Sequence, residues 1–241
     1  MPTLTPSIED VSAAPSRRAL VGFWWILLSA AAIAVFAPLP YLTDSLRGLS
    51  DNDNQLAMNY VDRAPWLRVA FYTHVVFGGL ALLLSPLQFA ARIRQRTPRA
   101  HRIIGRIVLS CIALAGTAGL ILAPHSLAGA IGTAGFGALA VLWLAFAATA
   151  FLAIRRGDVD RHRRWVTRTF ALTYAAVTLR LWLGVLITAQ IMAAGVDADV
   201  AFDRAYLIVP FLCWVPNLVL AEVLIRARAR RNSLGGDTAL A

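Results

Sequence analysis

The side chains most able to do chemistry are four histidines, a glutamine and an arginine that lie within or beside strongly apolar sequence. His74 and Gln88 belong to FYTHVVFGGLALLLSPLQF, and Arg180 belongs to the equally apolar TLRLWLGVL. An imidazole changes charge near neutral pH and ligates metals or haem iron, and a guanidinium binds anions or carbonyl oxygens. The candidate cofactor-binding residues are therefore His74, His101, His125, His162, Gln88 and Arg180.

His74 lies about eight residues inside its apolar run, which is roughly 12 Å of helix. On a continuous helix, spacings of three and four residues place small and polar side chains on one face. That face carries His74, Gly78, Ala81, Ser85 and Gln88. The spacing predicts a buried polar site in which His74 and Gln88 face Arg180.

A similar stripe on the fifth apolar run consists of Thr169, Thr173, Val177, Arg180 and Gly184, and Arg180 lies near the middle of the run. A charge at that depth costs at least about 2.5–3.5 kcal/mol on insertion scales, so Arg180 should face the protein interior. Glu222 is predicted to pair with Arg226 one turn later. The structural partners expected for Arg180 are Thr173, Thr178, Asn217 and carbonyls freed by Pro210 and Pro216. The functional alternative is a ligand: a haem propionate, a quinone oxygen or a transported anion.

The amino-acid composition predicts the membrane-spanning helices that must position these residues. Hydrophobic residues make up 59% of the chain, charged residues 15%, and the mean hydropathy is +0.64, which is typical of a membrane protein. Apolar runs long enough to cross a bilayer as helices number six. They cover approximately 20–40, 66–91, 103–123, 131–154, 166–192 and 205–225. We expect one all-α transmembrane domain at 17–226, between polar tails at 1–16 and 227–241.

All 23 basic residues are arginine, and their placement predicts the topology. Eighteen lie before the first span or after the second, fourth and sixth, whereas the opposite side carries four arginines and seven aspartates. The positive-inside rule then places both termini in the cytoplasm, as expected for a bacterial inner-membrane protein. The net charge of +10 is mainly this topology signal, so no nucleic-acid partner is expected. The arginine clusters should bind anionic lipid head groups.

Two hairpins indicate an internal repeat. Spans two and three are joined by a basic loop that leads into His101-Arg102, and spans four and five by a basic loop that leads into His162-Arg163. Parallel repeats would bring His101 and His162 to equivalent positions, each near a helix N-terminus that attracts anions. A lipid-anchoring girdle of arginines explains the same pattern.

Several motifs in this order resemble a known family. They are His74 to Gly79, PLQF at 86–89, HRxxGR at 101–106, AIRRGD at 153–158, HRRW at 162–165 and TLRL at 178–181. Together they resemble the bacterial predicted membrane proteins of the DUF2306 family, a domain of unknown function, over approximately 66–190. The resemblance implies a multi-span membrane module and brings no established activity.

Three classes of function remain open. One is electron transfer with haem b or a quinone, for which His74 and His125 form an outer histidine pair and His101 and His162 an inner pair. The others are a small-molecule or anion transporter, which a homodimer would make roomier, and a non-catalytic assembly or lipid-binding protein. No His-x-x-x-His or carboxylate cluster predicts a metal site, and no nucleophile with its base marks an enzyme.

Overall fold

The computed structural model describes residues 17–237, which form an all-helical bundle without strands. The α-helices are α1 (Arg17–Phe36), α2 (Leu39–Thr43), α3 (Leu46–Asp51), α4 (Gln55–Tyr60), α5 (Pro65–Leu84), α6 (Ala91–Arg96), α7 (Pro98–Leu122), α8 (Gly129–Arg155), α9 (Val159–Thr173), α10 (Ala175–Ala194), α11 (Ala198–Leu212) and α12 (Val215–Asp237). Short 3-10 helices cover Ser85–Phe89 and Ala123–His125. The predicted tail at 1–16 lies outside the described residues, and α12 continues through much of the other predicted tail.

Six membrane-length apolar segments confirm the predicted number of spans. They are Leu20–Thr43, Pro65–Phe89, Pro98–His125, Gly129–Arg155, Val159–Ala194 and Ala198–Arg230. Local sequence sets where several of them begin. Pro65 and Pro98 occupy the first turns of α5 and α7, where a missing N–H costs no hydrogen bond. Asp158 caps α9 by accepting a 2.8 Å hydrogen bond from the Arg161 N–H.

The bundle has two chemically different ends. We call the end that carries α6 and the α8–α9 junction the arginine-rich end, and the end that carries α2, α3 and α4 the loop end. Helix α5 packs on α7, α7 on α8, α8 on α9 and α11, and α9 on α12. The cytoplasmic location of the arginine-rich end and the hairpin repeat stay predictions.

Five of the six spans are not one continuous α-helix, and the breaks in the second, fifth and sixth change the helical faces drawn from the sequence. The second span leaves the α-helix after Leu84, because Pro86 lacks an N–H and its ring crowds the preceding turn. The fifth span breaks at Tyr174, and the sixth breaks between Leu212 and Val215. Pro216 lies in the first turn after that last break, a position that proline tolerates.

The centre of the bundle is a closely packed apolar core. Its buried members include Val108, Ile112, Ala147 and Leu172, from α7, α8 and α9. Helices α8 and α11 approach so closely that a Cβ at Gly135 would lie 2.6 Å from Pro210 Cβ. This core is nearer the arginine-rich end, and the candidate site lies on its loop-end side.

Candidate functional site

A cavity of about 260 Å³ lies between the helices on the loop-end side of the core. Its wall is mostly apolar and includes residues of α1, α5, α7, α8, α10 and α11. His74 and Arg180 both line it, on facing elements of the bundle. Among the residues that line it there is no aspartate or glutamate.

His74 faces the cavity with one ring nitrogen already engaged. Its Nδ1 lies 2.9 Å from the Ala115 carbonyl oxygen of α7. A carbonyl oxygen only accepts, so Nδ1 carries the proton and Nε2 of the neutral ring keeps a lone pair. Gly119 permits this contact, because a Cβ there would lie 3.0 Å from His74 Nδ1. No described residue forms a hydrogen bond with Nε2.

Arg180 is a cation without an anionic partner among residues 17–237. Its guanidinium donates one hydrogen bond of 3.0 Å, from Nη1 to the Ala176 carbonyl oxygen one turn earlier on α10. The residue is exposed and lines the cavity. Four of its five N–H donors are therefore left for whatever occupies that space.

The partners predicted for Arg180 bind other groups, which corrects that prediction. The Asn217 amide donates to the Thr178 hydroxyl at 3.0 Å, and also to the carbonyl oxygens of Ala171 and Cys213. Thr173 accepts a 2.9 Å hydrogen bond from the Trp143 indole N–H. These bonds fasten α12 to the break in the fifth span instead of compensating the arginine. The hydrogen bond of the Arg180 guanidinium within residues 17–237 goes to Ala176, so no carbonyl freed by Pro210 or Pro216 binds it either.

The predicted Glu222–Arg226 pair is also wrong. Glu222 of α12 instead binds Arg168 of α9 in a two-pronged contact, with N–O distances of 2.5 and 3.0 Å. The Arg168 guanidinium also lies over the Trp165 ring, 4.5 Å from its centroid. An arginine on another helix thus offers Glu222 better geometry than the arginine one turn away on the same helix. The spacing of residues along one helix does not predict such a partner.

Polar groups from the loop end complete the cavity wall, and the sequence did not point to them. They are the phenols of Tyr41, Tyr60 and Tyr206 and the amide of Asn59. Burial raises the pKa of the Tyr60 phenol, so it remains a protonated hydrogen-bond donor. Tyr41 donates a 3.2 Å hydrogen bond to the Asn54 side chain, the cap of α4. Their only sequence signal is that they flank predicted spans, where tyrosine is common.

The structure separates Gln88 from His74 and Arg180. Gln88 lies in the 3-10 turn toward the arginine-rich end, where its Oε1 would be 3.1 Å from a Cβ on Gly105. Its Nε2 is buried with no hydrogen-bond partner, as is Nδ1 of His101 on the same helix as Gly105. His162 lies close enough to interact electrostatically with His101, and its Nδ1 donates to the Ala150 carbonyl oxygen at 2.8 Å. These residues form a second polar group outside the cavity.

The outer histidine pair does not assemble. The His125 ring packs edge-on against Trp66, with ring centroids 6.1 Å apart, and does not line the cavity. His74 is the one histidine on the cavity wall, so bis-histidine haem ligation finds no second ligand there. A volume of about 260 Å³ also falls below the roughly 300–1,000 Å³ of pockets for drug-sized ligands, and a haem is larger still. The cavity residues therefore do not fit a haem.

Metal ligation has no support in the described part of the chain either. Residues 17–237 contain no group of three histidine, cysteine, aspartate or glutamate side chains placed to share a metal ion. Six apolar segments of membrane length around this cavity define a multi-span membrane protein.

The comparison with known families agrees with this class. The sequence model of the family described as predicted membrane protein (DUF2306) matches residues 71–225, which contain three of the six spans in full, most of two others, and both His74 and Arg180. The chain belongs to that family. No curated protein and no solved structure matches the chain.

Proposed function

We propose that this membrane protein binds a small molecule through an acidic or carbonyl oxygen, held in the cavity between Arg180 and His74. One observation carries the proposal: the Arg180 guanidinium faces a cavity of about 260 Å³ whose wall has no carboxylate. A membrane-buried arginine is costly unless an anion or several oxygens satisfy it. A bound oxygen acid supplies what the described residues do not.

The geometry of His74 narrows the chemistry of that ligand. Because Nδ1 donates to Ala115, Nε2 offers a lone pair and accepts a proton or an O–H hydrogen bond. Arg180 offers donors only. A molecule with an ionisable oxygen satisfies both: its O–H or released proton goes to Nε2, and its negative or carbonyl oxygen binds the guanidinium. Quinols, phenols, carboxylic acids and phosphate esters share this chemistry.

Among the redox cofactors considered from the sequence, a quinone head group carries the oxygens that Arg180 and His74 can bind, whereas a haem lacks a second histidine ligand at the cavity. Electron transfer is therefore proposed only in its quinone-linked form. The same proposal places the six spans in the cytoplasmic membrane of a bacterium, with anionic lipid head groups bound at the arginine clusters.

The packing beside the cavity supports binding over free passage across the membrane. The cavity ends at Trp143, whose indole donates to Thr173, and at Leu172. Beyond them toward the arginine-rich end lie Val108 and Ile112 of the packed core. This packed apolar core favours a ligand that is held at Arg180 over one that passes freely through the bundle.

Retention of a native ligand tests the proposal. The wild-type protein, Arg180→Gln and Arg204→Gln are extracted in native lipid nanodiscs, and their small molecules are quantified by mass spectrometry. Arg204 is the matched control, an exposed arginine on α11 that does not line the cavity. We expect one oxygen acid or quinone in near-stoichiometric amount in wild type and Arg204→Gln, reduced about tenfold or more in Arg180→Gln because a charge-assisted contact is lost. Equal amounts in all three proteins refute the proposal.

A further inference from the structure

We propose that the ligand enters the cavity sideways from the lipid bilayer, past α1, and is therefore a membrane-dissolved oxygen acid with an apolar chain. This inference rests on the proposed function and names the class of molecule that the same site takes. It is carried by three features of α1: its place in the cavity wall, its small buried fraction and its polar contact with the break in the fifth span.

The last turns of the first span separate the cavity from the surrounding lipid. Ile33, Ala34, Ala37 and Pro38 all line the cavity. On the opposite face of the same span Val35 is 58% exposed and Phe36 is 71% exposed. A displacement of α1 would thus join the cavity directly to the apolar phase of the membrane.

The first span, which forms this wall, has little of its surface buried against the rest of the protein. Only 6% of the apolar window of the first span is buried inside the protein, compared with 44% for the third span. The contact with α5 is made by small groups: a Cβ on Gly79 would lie 3.3 Å from Pro38 Cγ and 3.4 Å from the Ala34 carbonyl oxygen. Helices in lipid associate through packing and hydrogen bonds, without a hydrophobic driving force. A small contact surface therefore leaves α1 free to separate at low cost.

Helix α1 forms a hydrogen bond with the fifth span close to the proposed binding site. The hydroxyls of Ser29 and Tyr174 are 2.7 Å apart. Within the described part of the chain, the other hydrogen bonds of the Ser29 hydroxyl stay inside α1. Tyr174 is the residue at which the fifth span breaks, less than two turns before Arg180. The Ser29–Tyr174 hydrogen bond thus ties α1 to the break that precedes Arg180 on the fifth span.

At the loop end, more extensive packing separates the cavity from water than α1 provides on the lipid side. Leu46, Ala57, Tyr60, Leu67 and Phe71 belong to a packed apolar cluster there. The Asn59 amide also donates a 2.8 Å hydrogen bond to the His125 carbonyl oxygen, which ties α4 to the end of the third span. An incoming molecule displaces less protein by moving α1 than by moving this cap.

A disulfide between the first and second spans tests the inference without knowledge of the ligand. Pro38→Cys and Gly79→Cys introduce two thiols where the spans touch, since a Cβ on Gly79 would lie 3.3 Å from Pro38 Cγ. A reporter, Ala176→Cys, lies on the cavity wall, in a background of Cys111→Ala and Cys213→Ala. The protein is reconstituted into vesicles of phosphatidylethanolamine and phosphatidylglycerol, and peptide mapping verifies the 38–79 pairing.

The rate of reporter alkylation is then measured with an alkyl-chain maleimide dissolved in the bilayer and with a charged maleimide in water. We expect oxidation of the pair to slow the bilayer reagent at least about tenfold relative to the reduced protein, because the open state is removed. The charged reagent should be slow in both states. Equal rates with and without the disulfide, or faster reaction with the charged reagent, overturn the inference.

Tyr174→Phe decides the question if the cysteine pair does not fold. Loss of the Ser29–Tyr174 hydrogen bond should speed the bilayer reagent about threefold, the effect of an average hydrogen bond between membrane helices. Thr167→Val is the control and should leave the rate unchanged, because it removes a hydroxyl that bonds within α9. Unchanged labelling of Tyr174→Phe overturns the inference. Neither labelling result bears on ligand retention by Arg180, so the two proposals fail separately.

Discussion

Arg168 and Arg180 lie on the same membrane span, and the protein treats their charges in opposite ways. Arg168 has a two-pronged carboxylate partner in Glu222 and an aromatic face in Trp165. Arg180 has one carbonyl oxygen of its own helix and a cavity in front of it. Arg168 thus joins two helices, whereas Arg180 is left with open donors where a small molecule can reach them.

The proposed function makes Arg168 a structural charge and Arg180 a ligand-binding charge within one span. A paired arginine loses stability when its partner is removed, because the remaining charge is left uncompensated. An arginine that has no anionic partner in the protein loses little stability when it is replaced, because no ion pair is broken. Four substitutions test the distinction, each measured by unfolding in mild detergent.

Loss of the carboxylate that pairs with Arg168 should have the largest effect. Glu222→Gln should lower the free energy of unfolding by about 2–3 kcal/mol, because two charge-assisted hydrogen bonds to a half-buried guanidinium are weakened. Asp203→Asn, on the exposed surface of α11, is the control and should change little. Arg168→Gln added to Glu222→Gln should recover part of the loss. An effect of Glu222→Gln no larger than that of Asp203→Asn would show that the pair is not structural.

Loss of the Asn217 amide, which joins the breaks in the fifth and sixth spans, should have the second largest effect on stability. Asn217→Ala should cost about 1–2 kcal/mol, since it removes the donor for three oxygens of the buried junction. Ligand retention should not change, because Asn217 does not bind Arg180. Thr149→Ala, whose hydroxyl bonds to its own helix on the exposed side of α8, is the matched control. A loss of retained ligand without a loss of stability would reverse the assignment of Asn217.

Replacement of the Arg168 guanidinium by an ammonium group should have a smaller effect on the free energy of unfolding. Arg168→Lys keeps the charge but replaces a planar fork with a single ammonium, so one of the two N–H···O bonds disappears. We expect a loss of about 1 kcal/mol in the unfolding free energy. Stability equal to wild type would mean that Glu222 requires only a positive charge nearby.

Arg180 should show the smallest change in stability. In protein stripped of small molecules, Arg180→Gln should alter the free energy of unfolding by less than about 0.5 kcal/mol or raise it, because a desolvated charge without an anion is removed. With its ligand bound, the wild type should gain stability that the variant lacks. A large loss in the stripped protein would place Arg180 with Arg168 among the structural arginines.

The spans were predictable because bilayer thickness acts on whole runs of residues. Any helix of about 20 apolar residues with few charges satisfies that constraint, so small errors in individual positions do not matter. The positions of His74 and Arg180 followed from the same runs, and the structure places both on one cavity wall. Their role as a binding pair stays a prediction.

The failures have local physical causes. The helical face from His74 to Gln88 was extended through Pro86, which ends the α-helix and turns Gln88 toward Gly105. The Glu222–Arg226 pair was inferred from spacing along one helix, whereas the real partner lies 54 residues away on another. Side chains that meet across helices leave no periodic trace in a single sequence, and the cavity tyrosines were missed for the same reason.

The separation between Arg168 and Glu222 has a consequence for how the chain is made. At roughly 5–20 residues per second, the ribosome adds the intervening 54 residues in roughly 3–11 seconds. During that interval the fifth span carries its arginine into the membrane without a counterion. The nascent fifth span should therefore stay near the insertion machinery or the lipid head groups until the sixth span emerges, so that the last two spans complete insertion as one unit.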